Sequence, residues 1–455
     1  MSEIKVNKIS PRSGTTVTLG DSGDTFTIPS GATINNQGTA TNFGATGAVS
    51  WSTTVKTNSD SGFTATAGEG YFLNTTAGTI SVNLPAGSAG AVVGIKDYAG
   101  TFDTNAVTLV RNGSDKIGGQ ALNSVISTEG IAITLVFIDS TQGWLVTDSG
   151  LQAEAPGPQF ITATGGTITT VCTNFKVHTF TSPGTFTVCS AGNAAGSNSV
   201  DYLVIAGGGG GGAGGNAGSG GGGAGGYRES PGTVSGPYTV SPRGASPAAA
   251  ITVSAQGYPV VVGAGGAGGP APSNSGGSTG SASSALCISS AGGGGSGSPG
   301  KSGGSGGGGG RDAGASGGTG NTPPTNPAQG FNGGASGGGP PNGAAGGGGG
   351  ATEVGEQGSA PGPAPNENGG DGGAGGTSSI NGTPTARGGG GGGMSHYTPN
   401  TPGAGGAGGG GTGGREQDGQ VATAGTVNTG GGGGGGGPTV VGGGSGIVII
   451  RYKFQ

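Results

Sequence analysis

The sequence has few charged and few aromatic side chains: 8% of its 455 residues are charged and 5% are Phe, Trp or Tyr. The formal net charge is −5, and neither half carries the clustered Lys and Arg that phosphate binding needs. The longest apolar runs are strand-sized, far below the roughly 18 residues of a membrane span. The opening MSEIK is polar and lacks the apolar stretch of a signal peptide. We expect no nucleic-acid partner, no membrane insertion and no Sec export.

Cysteine and histidine are also scarce, with three and two residues respectively. Cys172 and Cys189 flank an expected hairpin and could pair under oxidising conditions, but burial of all three thiols, including Cys287, is the favoured alternative. The sequence has no CxxC motif, and His178 and His396 are far apart. We therefore expect no metal site.

Paired carboxylates and nucleotide motifs are missing in any convincing form. The acidic residues of the first 150 positions are scattered on expected turns, which Asp favours. Residues 295–302 match the GxxxxGKS phosphate-binding pattern, but a glycine-rich stretch follows Lys301 instead of the helix that this motif requires. We expect a non-enzymatic protein with no catalytic residues and no cofactor.

What the first 206 residues do contain are strand patterns. Residues 1–45 hold short alternating stretches too small to fold alone, which predicts winding with copies of the same chain into a homotrimer. Six signals at 71–73, 80–84, 91–95, 106–110, 131–138 and 143–146 predict an antiparallel β-sandwich over 46–150. A linker at 151–165 precedes a β-hairpin unit at 166–206, whose strands 176–180 and 184–188 are joined by residues 181–183.

Residues 207–455 hold most of the 122 glycines, in runs of four to eight. A flexible linker is the simplest interpretation of such a composition. However, a linker would not end in the strand pattern of residues 447–452 (IVIIRY). Polyproline II helices of glycine can pack until N–H meets C=O between neighbours, which gives a core made of backbone. Collagen needs Gly at every third position, and the calcium-binding β-roll needs a regular Asp; neither pattern is present.

Several strings resemble those of phage proteins. GYFLNTTAGTISVNLPAG and LVFIDSTQGWLVTD resemble a β-module of marine (cyanophage- and pelagiphage-like) tail-fibre proteins, and the opening resembles their virion-attachment end. VDYLVIAGGGGGG, NTGGGGGGGG and GGGSGIVIIRY resemble the glycine-rich domains of phage adhesins. The resemblance implies a polyglycine II sandwich with residues 201–206 and 446–452 as adjacent anchoring strands. It also implies that the loops between glycine helices touch the host receptor.

Aromatic, Arg and amide side chains in those loops are the candidates for receptor contact. Alternate loops should emerge at opposite ends of the helices, and only the end remote from the anchoring strands would face the host. His396 and Tyr397 are the preferred candidates, whereas Tyr227 and Arg228 could equally be structural. The full set is His396, Tyr397, Tyr227, Arg228, Tyr238, Phe331, Arg415 and Glu416.

Together these patterns predict an all-β chain with three parts: short intertwined N-terminal strands, an antiparallel β-sandwich, and a polyglycine II sandwich at 207–455. The expected function is that of a phage tail fibre, assembled in the host cytoplasm and located on the virion. Its N-terminus would bind tail, baseplate or adaptor proteins, and its tip would bind a surface polysaccharide or an outer-membrane protein. The alternatives are a non-adhesive virion appendage or capsid decoration, and a bacterial glycine-rich surface or filament protein.

Overall fold

The computed structural model describes residues 13–17, 49–151, 159–193, 196–213, 219–233, 235–244, 249–270, 275–338, 343–359, 367–437 and 440–455. The chain forms two compact units, Met1–Pro156 and Gly157–Gln455. Apart from residues 13–17, the expected attachment segment 1–45 lies outside the described residues. The described chain contains no α-helix and is all-β, as predicted.

The first unit is a two-layer sandwich with one short 3-10 helix, Asn58–Asp60. Its strands are β1 (Ser50–Trp51), β2 (Lys56–Thr57), β3 (Phe63–Thr64), β4 (Glu69–Asn74), β5 (Ile80–Asn83), β6 (Val92–Asp97), β7 (Val107–Val110), β8 (Ser124–Ile126), β9 (Ile131–Phe137) and β10 (Trp144–Leu151). One sheet has the order β1-β4-β6-β9-β10, with β2 also on β4, and the other β3-β5-β7-β8. Apolar residues of both sheets, among them Leu73, Val82 and Trp144, form one buried core.

The expectation of antiparallel pairing throughout this sandwich is wrong. From β3 to β7 the chain passes to the other sheet after every strand, so β4 lies parallel to β6 and β5 parallel to β7. Only β8, β9 and β10 add antiparallel pairs. Gly- and Pro-rich connections predict a change of direction, but they do not distinguish a hairpin turn from a corner between two sheets.

The second unit contains the remaining strands. They are β11 (Ile161–Thr164), β12 (Thr167–Val171), β13 (Phe175–Phe180), β14 (Gly184–Ala191), β15 (Ser199–Ile205), β16 (Tyr227–Glu229), β17 (Ile251–Thr252), β18 (Gly257–Val260), β19 (Ser283–Ala285), β20 (Ile288–Ser290), β21 (Gly376–Ser378), β22 (Thr385–Arg387) and β23 (Ile447–Lys453). The main sheet has the order β12-β13-β23-β15-β16, with β17 also on β15. A second sheet, β11-β14-β18, covers one of its faces through a shared apolar core.

The two anchoring strands are adjacent, as the resemblance implied. β15 and β23 pair antiparallel, with Asp201 opposite Arg451 and Ile205 opposite Ile447. The predicted hairpin of 176–180 with 184–188 is wrong, because β13 and β14 belong to different sheets. The turn at 181–183 is a corner of the sandwich. The segment expected to be a linker also contains strand β11.

The glycine runs pack as a hydrogen-bonded array, as the run 207–212 illustrates. The N–H of Gly207 donates to Ser281 O (3.0 Å), and the N–H of Gly210 donates to Ser278 O (2.9 Å). Groups three residues apart thus bond to the same neighbour. Through its N–H and C=O groups, the stretch from Ala206 to Gly212 bonds to six surrounding segments: 223–226, 266–269, 278–281, 293–296, 433–436 and 441–444.

A repeat of three residues and bonding only between segments are the properties of polyproline II helices. The interior of this unit is therefore a polyglycine II array, as predicted. Side chains are excluded from it sterically: a Cβ added to Gly209 would lie 2.1 Å from Gly294 O. Each interhelical hydrogen bond contributes about 1 kcal/mol net, and these bonds offset the high entropic cost of ordering glycine.

The loops of the array alternate between two ends, also as expected. At the sheet end the runs meet β15, β16 and β23, and Ala206 N bonds to Gly226 O (3.1 Å). At the opposite end, here called the distal end, Gly436 N bonds to Gly212 O (2.7 Å). The described distal loops include 298–299, 311–314, 395–400 and 415–420; the sheet-end loops include 282–290, 321–329, 376–387 and 427–429.

Candidate functional site

The eight predicted receptor contacts separate between the two ends. Tyr227, Arg228, Tyr238 and Phe331 lie at the sheet end, whereas the other four lie in the distal loops. Tyr227 is 1% exposed and packs in the core between the main sheet and the array. Its hydroxyl donates to Glu229 Oε2 (3.3 Å), and burial raises the pKa of both groups. The prediction that Tyr227 contacts a receptor is wrong, because it offers no surface.

The other three sheet-end candidates are half-buried, and the aromatic rings of two of them pack against guanidinium groups. The Tyr238 ring lies 5.0 Å from the buried Arg451 guanidinium, and its hydroxyl is 3.4 Å from Ser230 Oγ. The Phe331 ring lies 5.1 Å from the guanidinium of Arg243. Arg228 belongs to strand β16. Tyr238 and Phe331 thus pack against the cations of neighbouring segments, and in the described residues no hydrogen bond, ion pair or ring contact joins them to each other or to Arg228.

The distal candidates do come together. Ser395 and Arg415 form a parallel bridge that places loop 395–400 beside loop 415–420. His396 Nε2 lies 3.1 Å from Glu416 Oε2, and Arg311 Nη1 lies 3.3 Å from the same oxygen. The ring of Tyr397 meets the His396 ring edge to face, with centroids 4.0 Å apart. Three distal loops thus contribute to one group of side chains.

Arg415 completes this group. Its Nε and Nη2 donate to the two carboxylate oxygens of Asp418 (2.9 and 2.5 Å), and its Nη1 donates to Asn400 O (2.7 Å). The hydrogen bonds from Arg415 lower the pKa of Asp418. We call the group the distal cluster; it consists of Arg311, His396, Tyr397, Arg415, Glu416 and Asp418.

Comparison with known protein families identifies the glycine-rich part of the chain. The family model described as a glycine-rich domain matches residues 181–453, which hold the array and its anchoring strand β23. The chain belongs to this glycine-rich domain family. No curated protein matches the chain. In the described residues, no helix is long and apolar enough to cross a membrane.

The distal cluster has no net charge when His396 is uncharged, because two guanidinium groups face two carboxylates. Burial lowers the pKa of His396, the guanidinium of Arg311 lowers it further, and Glu416 opposes both. His396 is therefore uncharged at neutral pH, and we assign its proton to Nε2, which faces the Glu416 carboxylate. Burial also lowers the pKa of Arg311, against the raising effect of the nearby Glu416, Tyr397 and Glu367.

Unpartnered polar atoms gather around this cluster. Asn400 is 1% exposed and Ser395 fully buried, yet the amide atoms of Asn400 and Ser395 Oγ have no hydrogen-bond partner among the described residues. The same holds for His396 Nδ1 and Glu367 Oε2. Buried polar groups are normally hydrogen-bonded, so five such atoms around one group of loops are unusual; Arg243, Arg387 and Arg451 carry further unpartnered atoms at the sheet end.

Arg311 was missed in the sequence because it directly follows a glycine run, away from the larger polar loops. Its backbone N–H donates to Ser219 Oγ (2.9 Å), which positions it beneath loop 395–400. The phosphate-binding pattern is not a site, because the Lys301 amine donates to Gly277 O (2.8 Å) and its backbone belongs to the array. In the described chain, no group of three or more His, Cys, Asp or Glu could hold a metal.

The expectation of buried thiols is wrong as well. All three cysteines are free and exposed. Cys172 lies in the turn between β12 and β13, Cys189 lies in β14, and Cys287 lies in the turn between β19 and β20. All three positions are on the side of the strands, away from the distal cluster.

Proposed function

We propose that this chain is a phage tail-fibre adhesin that binds a receptor on the host cell surface through the distal end of its glycine-rich domain. The observation that carries the proposal is the separation of side chains in the array. Glycine forms an array with almost no side chains in its interior. The polar and aromatic side chains of three loops come together at the end remote from the anchoring sheet.

The hydrogen-bonded glycine array favours binding because it is rigid. Runs bonded to neighbours on every side hold the loop ends at fixed spacing, so little conformational entropy remains to be lost on binding. Short loops between fixed ends are pre-organised in the same way as the loops of other binding scaffolds. The sheet end is unsuitable for contact with a cell, because its side chains are used for packing.

The rest of the proposal rests on the resemblance of residues 1–150 to phage fibre proteins. In that assignment the N-terminal segment attaches to tail, baseplate or adaptor proteins, and the chains associate as a homotrimer on the virion. The receptor would be a host surface polysaccharide or an outer-membrane protein. No enzymatic step, cofactor or nucleic acid belongs to this function.

Binding to cells tests the proposal directly. The purified full chain, labelled with a fluorophore on its exposed cysteines, would be titrated onto a panel of bacterial strains and measured by flow cytometry. Because the thiols lie near the strands, labelling leaves the distal loops unchanged. We expect saturable binding to a narrow set of strains. Absence of saturable binding to every strain would contradict the proposal.

A matched pair of variants locates the contact. The distal variant carries Tyr397→Ser with Gln417→Ser, and the control carries the same changes at the exposed Tyr98 and Gln256. We expect the distal variant alone to lose binding by about tenfold or more. Equal binding by both variants, with unchanged thermal unfolding, would exclude the distal end as the receptor site.

A further inference from the structure

The distal cluster leaves few charges available to a ligand. Glu416 is shared between Arg311 and His396, and Arg415 is paired with Asp418 through two hydrogen bonds. Both carboxylates are partly exposed, but each is balanced by a guanidinium, so the two pairs together present no net charge to a ligand. Without a net charge, the cluster has no long-range attraction that favours an ion or a strongly charged ligand over a neutral one.

The distal loops also contain uncharged polar groups that can form hydrogen bonds. Unpartnered neutral atoms of Asn400, Ser395 and His396 lie buried directly behind the surface of these loops, so they are not themselves exposed to a ligand. Beside them, the exposed Gln417 accepts from Thr398 N (2.8 Å) with its carbonyl oxygen, which leaves its amide N–H groups for solvent or ligand. Amide N–H groups of this kind can donate to the hydroxyl groups of a ligand.

One aromatic ring accompanies these atoms. Tyr397 is half-buried and held against His396, so its ring has a fixed orientation at the surface. A flat apolar ring flanked by hydrogen-bonding groups can stack on the C–H face of a sugar while the amides and hydroxyls contact the sugar hydroxyls. A protein receptor would call for a larger apolar centre with several aromatic anchors, and Tyr397 is the one such ring in the described distal loops.

We propose that Tyr397 of the distal cluster and the neighbouring exposed Gln417 bind an uncharged, polyhydroxylated part of a cell-surface glycan. This inference rests on the proposed function and narrows it from a receptor of either class to carbohydrate. Lipopolysaccharide and capsule could both supply this chemistry. Loops 395–400 and 415–420 form the contact, and Tyr397 is the residue on which recognition depends most.

The test uses a strain that the labelled full chain binds. Cells are treated either with periodate, which cleaves vicinal diols, or with protease, which removes surface polypeptide, and bound fluorescence is compared with mock-treated cells. We expect periodate to abolish binding and protease to leave it unchanged. Loss of binding with protease, alone or together with loss after periodate, would overturn the carbohydrate assignment while leaving the adhesin function intact. Absence of binding to all untreated strains would overturn both.

Competition and a variant complete the design. Purified lipopolysaccharide and purified capsular polysaccharide of the bound strain are added separately, and inhibition by one of them identifies the source. Inhibition by neither would contradict the inference. Tyr397→Leu keeps apolar bulk but loses the flat ring, so we expect about tenfold weaker binding, whereas the matched Tyr98→Leu in the first unit binds normally. Unchanged binding by correctly folded Tyr397→Leu protein would also contradict it.

Discussion

Replacing Gly222 by alanine should strongly destabilise the glycine-rich domain, although the same change elsewhere usually does the opposite. Where alanine can adopt the native backbone conformation, Gly→Ala stabilises a protein by about 0.4–1 kcal/mol, because it lowers the conformational entropy of the unfolded chain. At Gly222 a Cβ would lie 2.1 Å from Gly209 O, about 1.3 Å closer than the 3.4 Å at which ordinary van der Waals contact begins. The obstacle is backbone, which has no rotamer by which to move away.

The magnitude follows from what must shift. Overpacking of a tight interior costs about 1–3 kcal/mol. Separating the two runs would also weaken the bond from Gly209 N to Gly223 O (2.8 Å), and a buried backbone group left unpaired costs about 1–3 kcal/mol more. The sum, roughly 2–6 kcal/mol, is a large part of the 5–15 kcal/mol that stabilises a typical domain.

Differential scanning calorimetry of the full chain measures the effect. For a large domain, roughly 2–4 °C of Tm are lost per kcal/mol, so the transition of the glycine-rich domain should fall by about 4–24 °C. The control is Gly257→Ala on strand β18, where the nearest atom to the new Cβ is a side-chain methyl carbon of Thr185 at 3.3 Å. We expect it to change Tm by only 1–2 °C, on the order expected of surface substitutions. An unchanged or raised Tm for Gly222→Ala would refute close backbone packing.

Three further predictions concern titration and thiols. Burial lowers the pKa of His178 below its ordinary value of 6.5, so as the pH falls the unfolded chain takes up this proton before the folded chain does. Stability is therefore lost as the pH falls below about 6.5. His178→Gln should reduce the fall in Tm between pH 7 and pH 5, and an unaltered fall would contradict this. Glu416 raises the pKa of His396, so Glu416→Gln should lower it in an NMR titration without moving that of His178; an unchanged or higher value would exclude the contact. All thiols should react with a thiol reagent in the native protein, and protection of any of them would contradict the exposure of Cys172, Cys189 and Cys287.

Local patterns in the sequence predicted the strands of the sandwich well. Each of the six signals in residues 46–150 forms a strand, because alternating apolar residues record which face is buried. Pairing was harder to predict. Nothing local distinguishes the corner at 181–183 from a hairpin turn, since the choice depends on β23, some 270 residues later, which pairs with β13. Strands as short as β8 were also missed.

The array could be predicted because glycine leaves few alternatives, but the site could be predicted only in part. His396, Tyr397, Arg415 and Glu416 were found because they stand in polar interruptions of the runs. Their mutual contact depends on the parallel bridge at Ser395, which residue types do not reveal. The same interruptions at the sheet end carry structural side chains such as Tyr227, so composition alone cannot tell the two ends apart.

Amide hydrogen exchange tests the polyglycine II array most directly. Gly209, Gly222 and Gly391 donate N–H···O bonds of 2.8, 2.7 and 2.8 Å to neighbouring runs inside the domain. We expect the amides of runs 206–213, 219–226 and 388–394 to exchange far more slowly than those of loop 415–420, and to lose protection together when the domain unfolds. Exchange of the glycine runs as fast as in an unstructured peptide would contradict the account.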